Sequence, residues 1–133
     1  MKIEEIEGVG PAYAQKLMAA GVPTIEALLE QGSKATERAK LAASTGISEH
    51  VLLKWVTAAD LMRVKGIGSE YSELLEVAGV DSATELAQRR PENLHARLEE
   101  INNAKKLVRR VPTLNEVEKW VAEARRLPKV VTH

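Results

Sequence analysis

Two glycine triplets hold the residues of this chain best suited to meet a ligand. They are Gly8-Val9-Gly10 and Gly66-Ile67-Gly68. Glycine lets the backbone take positive φ and turn sharply without a Cβ clash. The aliphatic residue between the glycines, Val9 or Ile67, plugs the turn into a core. Pro11 follows the first triplet, in the first helical position, where a missing N–H costs nothing. A helix start leaves N–H groups free and carries partial positive charge. A bare turn ahead of such a start can meet a phosphate. Lys16 and Lys65 lie close in sequence to the two triplets. Tyr13 and Tyr71 stand three residues past each second glycine. Each ring either offers its hydroxyl to a phosphate or props the turn half-buried, and the second reading is the commoner for an aromatic side chain.

A second cluster lies further on. Lys105, Lys106, Arg109 and Arg110 fall at i, i+4 spacings, so on a continuous helix they form one basic stripe. The stripe suits phosphate tracking, or it is a solvated face near a helix C-terminus, where cations are favourable anyway. Catalytic patterns are missing. His50, His95 and His133 are scattered and cysteine is absent, so neither a metal set nor a disulfide suggests itself. There is no nucleophile triad, no phosphate-binding GxxxxGK[ST] loop and no dinucleotide fingerprint. No catalytic activity, cofactor or small-molecule substrate is therefore expected.

Charge bounds the partners. The chain has 19 basic and 19 acidic residues and no net charge, whereas nucleic-acid binders usually carry a basic excess. The balance is uneven, however. Residues 101–133 hold eight basic side chains against three acidic ones, Glu116, Glu118 and Glu123. Attraction to polyanions should come from that third. No apolar run reaches the roughly 20 residues of a membrane span, and the first residues lack a signal-peptide core. The expectation is a cytoplasmic protein with no membrane partner.

The elements that position these residues come from an internal repeat. Residues 6–22 and 64–80 align at a shift of 58 with seven identities in 17 positions, including both glycine pairs, both tyrosines and the closing Ala-Gly-Val. Apolar spacing and caps predict helices over about 2–7, 11–20, 25–31, 34–44 and 49–64 in the first half. The second half repeats the plan with helices over 69–78, a short one after Ser82, 91–109 and 114–127. Ser82-x-x-Glu85 and Thr113-x-x-Glu116 read as capping boxes. Trp55 and Trp120 stand at corresponding places and are expected in the core. Period-two alternation is missing, so the fold class is all-α. Repeat one covers residues 1–63 and repeat two 64–133, packed as a single domain of 1–133.

The pattern hydrophobic-x-Gly-hydrophobic-Gly-x-x-x-Ala is matched by Ile6, Gly8, Val9, Gly10 and Ala14, and by Val64, Gly66, Ile67 and Gly68 with Ser72 in the alanine place. It resembles the helix-hairpin-helix motif. The whole chain is similar to a bacterial family of small tandem helix-hairpin-helix proteins catalogued as a domain of unknown function. The resemblance implies sequence-independent DNA binding through hairpin amides and nearby cations. Members that bind DNA usually place Lys or Arg just after the second glycine. The first hairpin has Lys16. The second has Ser69, Glu70 and Glu73, with Lys65 its one base. Two readings stand at this point. One is a non-catalytic DNA binder, weak and salt-dependent, using Gly8, Val9, Gly10, Lys16, Lys65, Gly66, Ile67, Gly68 and the 105–110 stripe. The other is a protein-interaction module in which the hairpins are architecture only.

Overall fold

Helix starts in this chain are set by short-range chemistry. Pro11 and Pro91 occupy first helical positions. Thr24, Ser82 and Thr113 accept bonds from the amides of Ala27, Glu85 and Glu116. Each such cap contributes about 1 kcal/mol. The computed structural model describes residues 1–133. It is all-helical: a 3-10 turn at Ile3–Glu5, then α1 (Pro11–Ala19), α2 (Ile25–Gly32), α3 (Ala35–Thr45), α4 (Glu49–Leu61), α5 (Ser69–Val77), α6 (Ala83–Ala87), α7 (Pro91–Lys105) and α8 (Leu114–Ala124). The one extended pairing is an isolated antiparallel bridge between Lys2 and Thr24. No helix is long and apolar enough to cross a membrane.

The chain forms two compact units. One comprises Met1–Asp60 with Val130–His133, the other Leu61–Lys129.

In the first unit, Ile3, Ile6, Val9, Leu17 and Val22 are fully or nearly buried, as are Trp55 and Val56 of α4. Gly32 ends α2 where a Cβ would stand 2.7 Å from Val56 Cγ2. Only a hydrogen there lets α2 and α4 come this close. In the second unit, one apolar cluster joins Ile67 of the second glycine turn and Leu74 and Leu75 of α5 to Leu98 of α7 and Val117, Trp120 and Val121 of α8. Both tryptophans are core residues, as their spacing suggests.

Backbone bonds repeat at the shift of 58. Val9 N–H donates to Ile6 O, and Ile67 N–H to Val64 O. Val22 N–H donates to Leu17 O at 2.8 Å, and Val80 N–H to Leu75 O at the same distance. Even the side chains that close the helix ends correspond: Gln31 donates to Gly21 O and Arg89 to Gly79 O, each at 3.0 Å.

Several expected elements are shorter in the structure. The first helix is a single 3-10 turn, and the helix over 49–64 stops at Leu61. The helix over 91–109 stops at Lys105, with Lys106 left-handed at φ 52°. The reason is a side chain. Asn102 accepts from Val108 N–H at 2.9 Å and donates to Val108 O at 3.1 Å. That two-point bond turns the chain back and buries Val108. At Ser82 only half of the capping box forms. Glu85 turns instead towards Arg89, at 3.5 Å.

Candidate nucleic-acid interface

The first glycine turn is built from backbone that only glycine tolerates. Gly8 has φ 91° and Gly10 φ 50° with ψ 172°. Val9 between them is fully buried and fixes the turn to the core. Both glycines and Ala12 are exposed. Val9 and Ala14 amides are taken up by Ile6 and Gly10 carbonyls, while the amides of Gly8, Gly10 and Ala12 meet no backbone acceptor. Beside them Tyr13 packs edge-on against Trp55, ring centroids 5.1 Å apart. Tyr13 as a residue stays 41% exposed. Lys16 Nζ lies 5.7 Å from the same ring, a cation–π distance. This turn therefore presents free N–H groups, a phenol and an ammonium, with the exposed acid Glu7 preceding it in sequence.

The second turn has the same path and a different lining. Gly66 has φ 95°, and a Cβ there would stand 3.0 Å from Trp120 Nε1. Gly68 departs from the expectation of positive φ: it lies at φ −101° and ψ −166°, extended backbone open to any residue. Ile67 is buried in the core. Glu123 of α8 reaches the turn, and both its carboxylate oxygens accept from Lys65 N–H at 3.2 Å. A negative group of the protein itself thus sits where the first turn is open. Ser72, in the alanine place, is buried with its hydroxyl donating to Ser69 O at 2.9 Å. Tyr71 packs on Trp120 at 5.3 Å and donates its hydroxyl to Arg110 O at 2.8 Å. That is the propping role, with a carbonyl as acceptor. Tyr13 makes no equivalent bond.

The basic cluster is not a helix stripe. Lys105 is the last residue of α7, Lys106 its left-handed cap, and Arg109 and Arg110 lie in the loop beyond. Lys105, Lys106 and Arg109 are exposed. Lys106 and Arg109 border an open depression of about 530 Å³, with Glu70 of α5, Asn102, Asn103, Leu107 and Val108 around it. The loop thus brings two cations beside the first turn of α5, together with one acid. Arg110 is committed elsewhere. It holds Glu116 through two bonds of 2.7 and 3.1 Å. Those bonds, with the Thr113 amide, hold the Glu116 carboxyl down at about 2 against an ordinary 4.5. The same carboxylate raises the Arg110 guanidinium.

Residue-level reading of the sequence missed Asn102, Glu123, Arg38 and Thr132. The first had a signal, since an Asn-Asn pair before a cationic run fits a helix stop. Glu123 and Thr132 act over separations of 58 to 99 residues, and Arg38 meets Thr132 across 94, so these contacts left no local trace. No curated protein matches the chain, and no solved structure does. Residues 7–127 match a family described as a domain of unknown function, DUF4332, and the chain belongs to that family.

Proposed function

We propose that the chain is a tandem helix-hairpin-helix protein that binds nucleic acid without catalysis and without reading sequence. The observation that carries this reading is the first turn: exposed amides on glycine-only backbone, flanked by a free phenol and Lys16. Backbone amides hold phosphate oxygens and carry no base information directly. The exposed cations Lys105, Lys106 and Arg109 add a second, electrostatic contact, and Lys65 a third. The second turn contributes less, because Glu123 already accepts its Lys65 amide and Glu70 stands nearby. Binding is therefore weak and asymmetric between the two hairpins, with DNA the expected partner in a cytoplasmic setting.

The test is fluorescence anisotropy with labelled duplex, junction and single-stranded DNA at low salt. Tyr13→Phe with Lys16→Gln removes two exposed groups and leaves the glycine backbone intact. Binding by the wild type that falls at least severalfold in the double variant supports the reading. No binding at low salt overturns it.

A protein-interaction module is the second reading, favoured by one observation. Glu123 accepts from the Lys65 amide of the second hairpin, and Glu70, Glu73 and Glu76 ride on the helix that follows. Under that reading the DNA titration is flat, and substitutions on the acidic α5 face abolish partner capture.

A further inference from the structure

The junction between α2 and α3 leaves the Ala35 N–H without a partner in either helix. Lys34, at the N-cap of α3, makes no side-chain capping bond. The carbonyls of Gly32 and Ser33, at and just past the end of α2, have no donor within that helix. A segment from the far end of the chain supplies what is missing. Thr132 N–H donates to Ser33 O at 2.8 Å. The Thr132 hydroxyl accepts from Ala35 N–H at 3.1 Å, an N-cap delivered from 97 residues away. Arg38, only 3% exposed, donates to the carbonyls of Gly32 and Ser33 at 2.9 and 2.8 Å. Its other terminal nitrogen donates to the carbonyl of Thr132. Val131 is 3% exposed, so it is buried beside this set.

From this arrangement we propose that the α2–α3 junction is a docking site for an extended peptide carrying a valine followed by a threonine, occupied here by residues 130–132 of the chain itself. Every contact is one that a separate peptide would supply: a main-chain N–H, a main-chain carbonyl, a hydroxyl and one aliphatic side chain. The recognition is specific in chemistry. A valine side chain fills the buried position. A threonine or serine hydroxyl is needed to cap Ala35, and an N-alkylated residue at that place loses the bond to Ser33 O. Buried Arg38 keeps the guanidinium aimed at the incoming carbonyl, because its other bonds are to α2. The partner that fits is an extended Val-Thr segment of another chain. The segment 130–132 acts as its intramolecular competitor, at an effective concentration on the order of millimolar for a tethered ligand.

The inference does not depend on the nucleic-acid reading. Its test uses the full chain with Val131→Asp, which places a carboxylate in the buried position and releases the segment. The probe is a synthetic peptide of residues 127–133, blocked at its N-terminus. Peptide binding is followed by the shift of the Arg38 side-chain and Ala35 amide NMR signals and by thermal melting. The expected result is saturable binding to the variant, with a rise in melting temperature that follows ligand concentration. Apparent affinity for the wild type should be at least about tenfold weaker, since its seat is filled. A peptide N-methylated at the threonine should not bind. Equal uptake by wild type and variant, no uptake by either, or equal binding of the methylated peptide overturns the proposal. If Val131→Asp does not fold, Thr132→Ala takes its place. It loses the hydroxyl's bonds to Ala35 N–H and Ser33 O and should bind the peptide more tightly than the wild type, and failure to do so also overturns the proposal.

Discussion

Two glycines that look equivalent by sequence carry different loads. Gly66 sits at φ 95°, with Trp120 Nε1 placed 3.0 Å from any Cβ. Gly68 is extended, with nothing within 4 Å of a Cβ. Gly66→Ala should therefore cost about 1–3 kcal/mol for backbone strain, and Gly66→Val more. Gly68→Ala should change stability by no more than about 0.5 kcal/mol. Urea melts of the two alanine variants check this, and equal losses would contradict the geometry. Charge at the residue scale makes a second prediction. The Glu116 carboxyl titrates at about 2 in the folded protein and near 4.5 without its partners. Its folded value is the lower one, so the stabilisation is complete above about 4.5 and is lost as pH falls towards 2. Glu116 is one-third exposed, which keeps the effect to about 1 kcal/mol or less by solvent screening. Glu116→Gln should flatten the acid limb of the stability profile and leave the neutral limb lower. Identical acid limbs for the two proteins would show that the Arg110 pairing contributes nothing.

Among elements, α7 and the loop after it decide what the basic cluster can do. A continuous helix would have lined up four cations. The structure instead ends the helix at Lys105, and Asn102 clamps Val108 by two bonds. Asn102→Ala removes both bonds and leaves a half-buried N–H and C=O unpaired. It should cost about 1–3 kcal/mol and speed exchange of the Val108 amide, read by hydrogen exchange. An unchanged exchange rate would mean that the loop holds itself. What was legible here follows from range. The starts at Pro11, Pro91, Thr24 and Thr113 were readable because capping acts over three residues. The aliphatic plugs Val9 and Ile67 were readable because their glycine neighbours announce the turn. The end of α7 was hidden because its cause is a side chain bonded six residues ahead. The conformation of Gly68 was hidden because the repeat predicts residue type and not φ. The Glu123–Lys65 contact and the Thr132 strap were hidden because they join residues 58 and 94 or more apart, where a single sequence carries no pairing signal.

For the whole molecule the ruling quantity is charge. Nineteen cations balance nineteen acids, so no long-range field draws a polyanion to the surface at large. Any affinity for nucleic acid must come from local contacts, which few cations remain free to make. Arg110 is bound to Glu116, and Arg89 lies against Glu85 and Gly79 O. Lys105, Lys106 and Arg109 are exposed and in no ion pair. Each phosphate they neutralise adds about −0.9 to the slope of log K against log salt on duplex DNA. Changing these three to Gln should flatten the slope by up to about 2.7, with the melting temperature unchanged because none of them holds the fold. Arg110→Gln should leave the slope nearly as it was and lower stability through Glu116. This contrast separates a phosphate contact from a structural pair, although the four residues are neighbours in sequence. The measurement is anisotropy over a salt series for the triple variant, Arg110→Gln and the wild type. A slope that stays put in the triple variant removes the loop from the interface and leaves the first glycine turn as the remaining contact. A slope that flattens equally in both variants would mean that the loop must be ordered by Arg110 before its cations can meet phosphate.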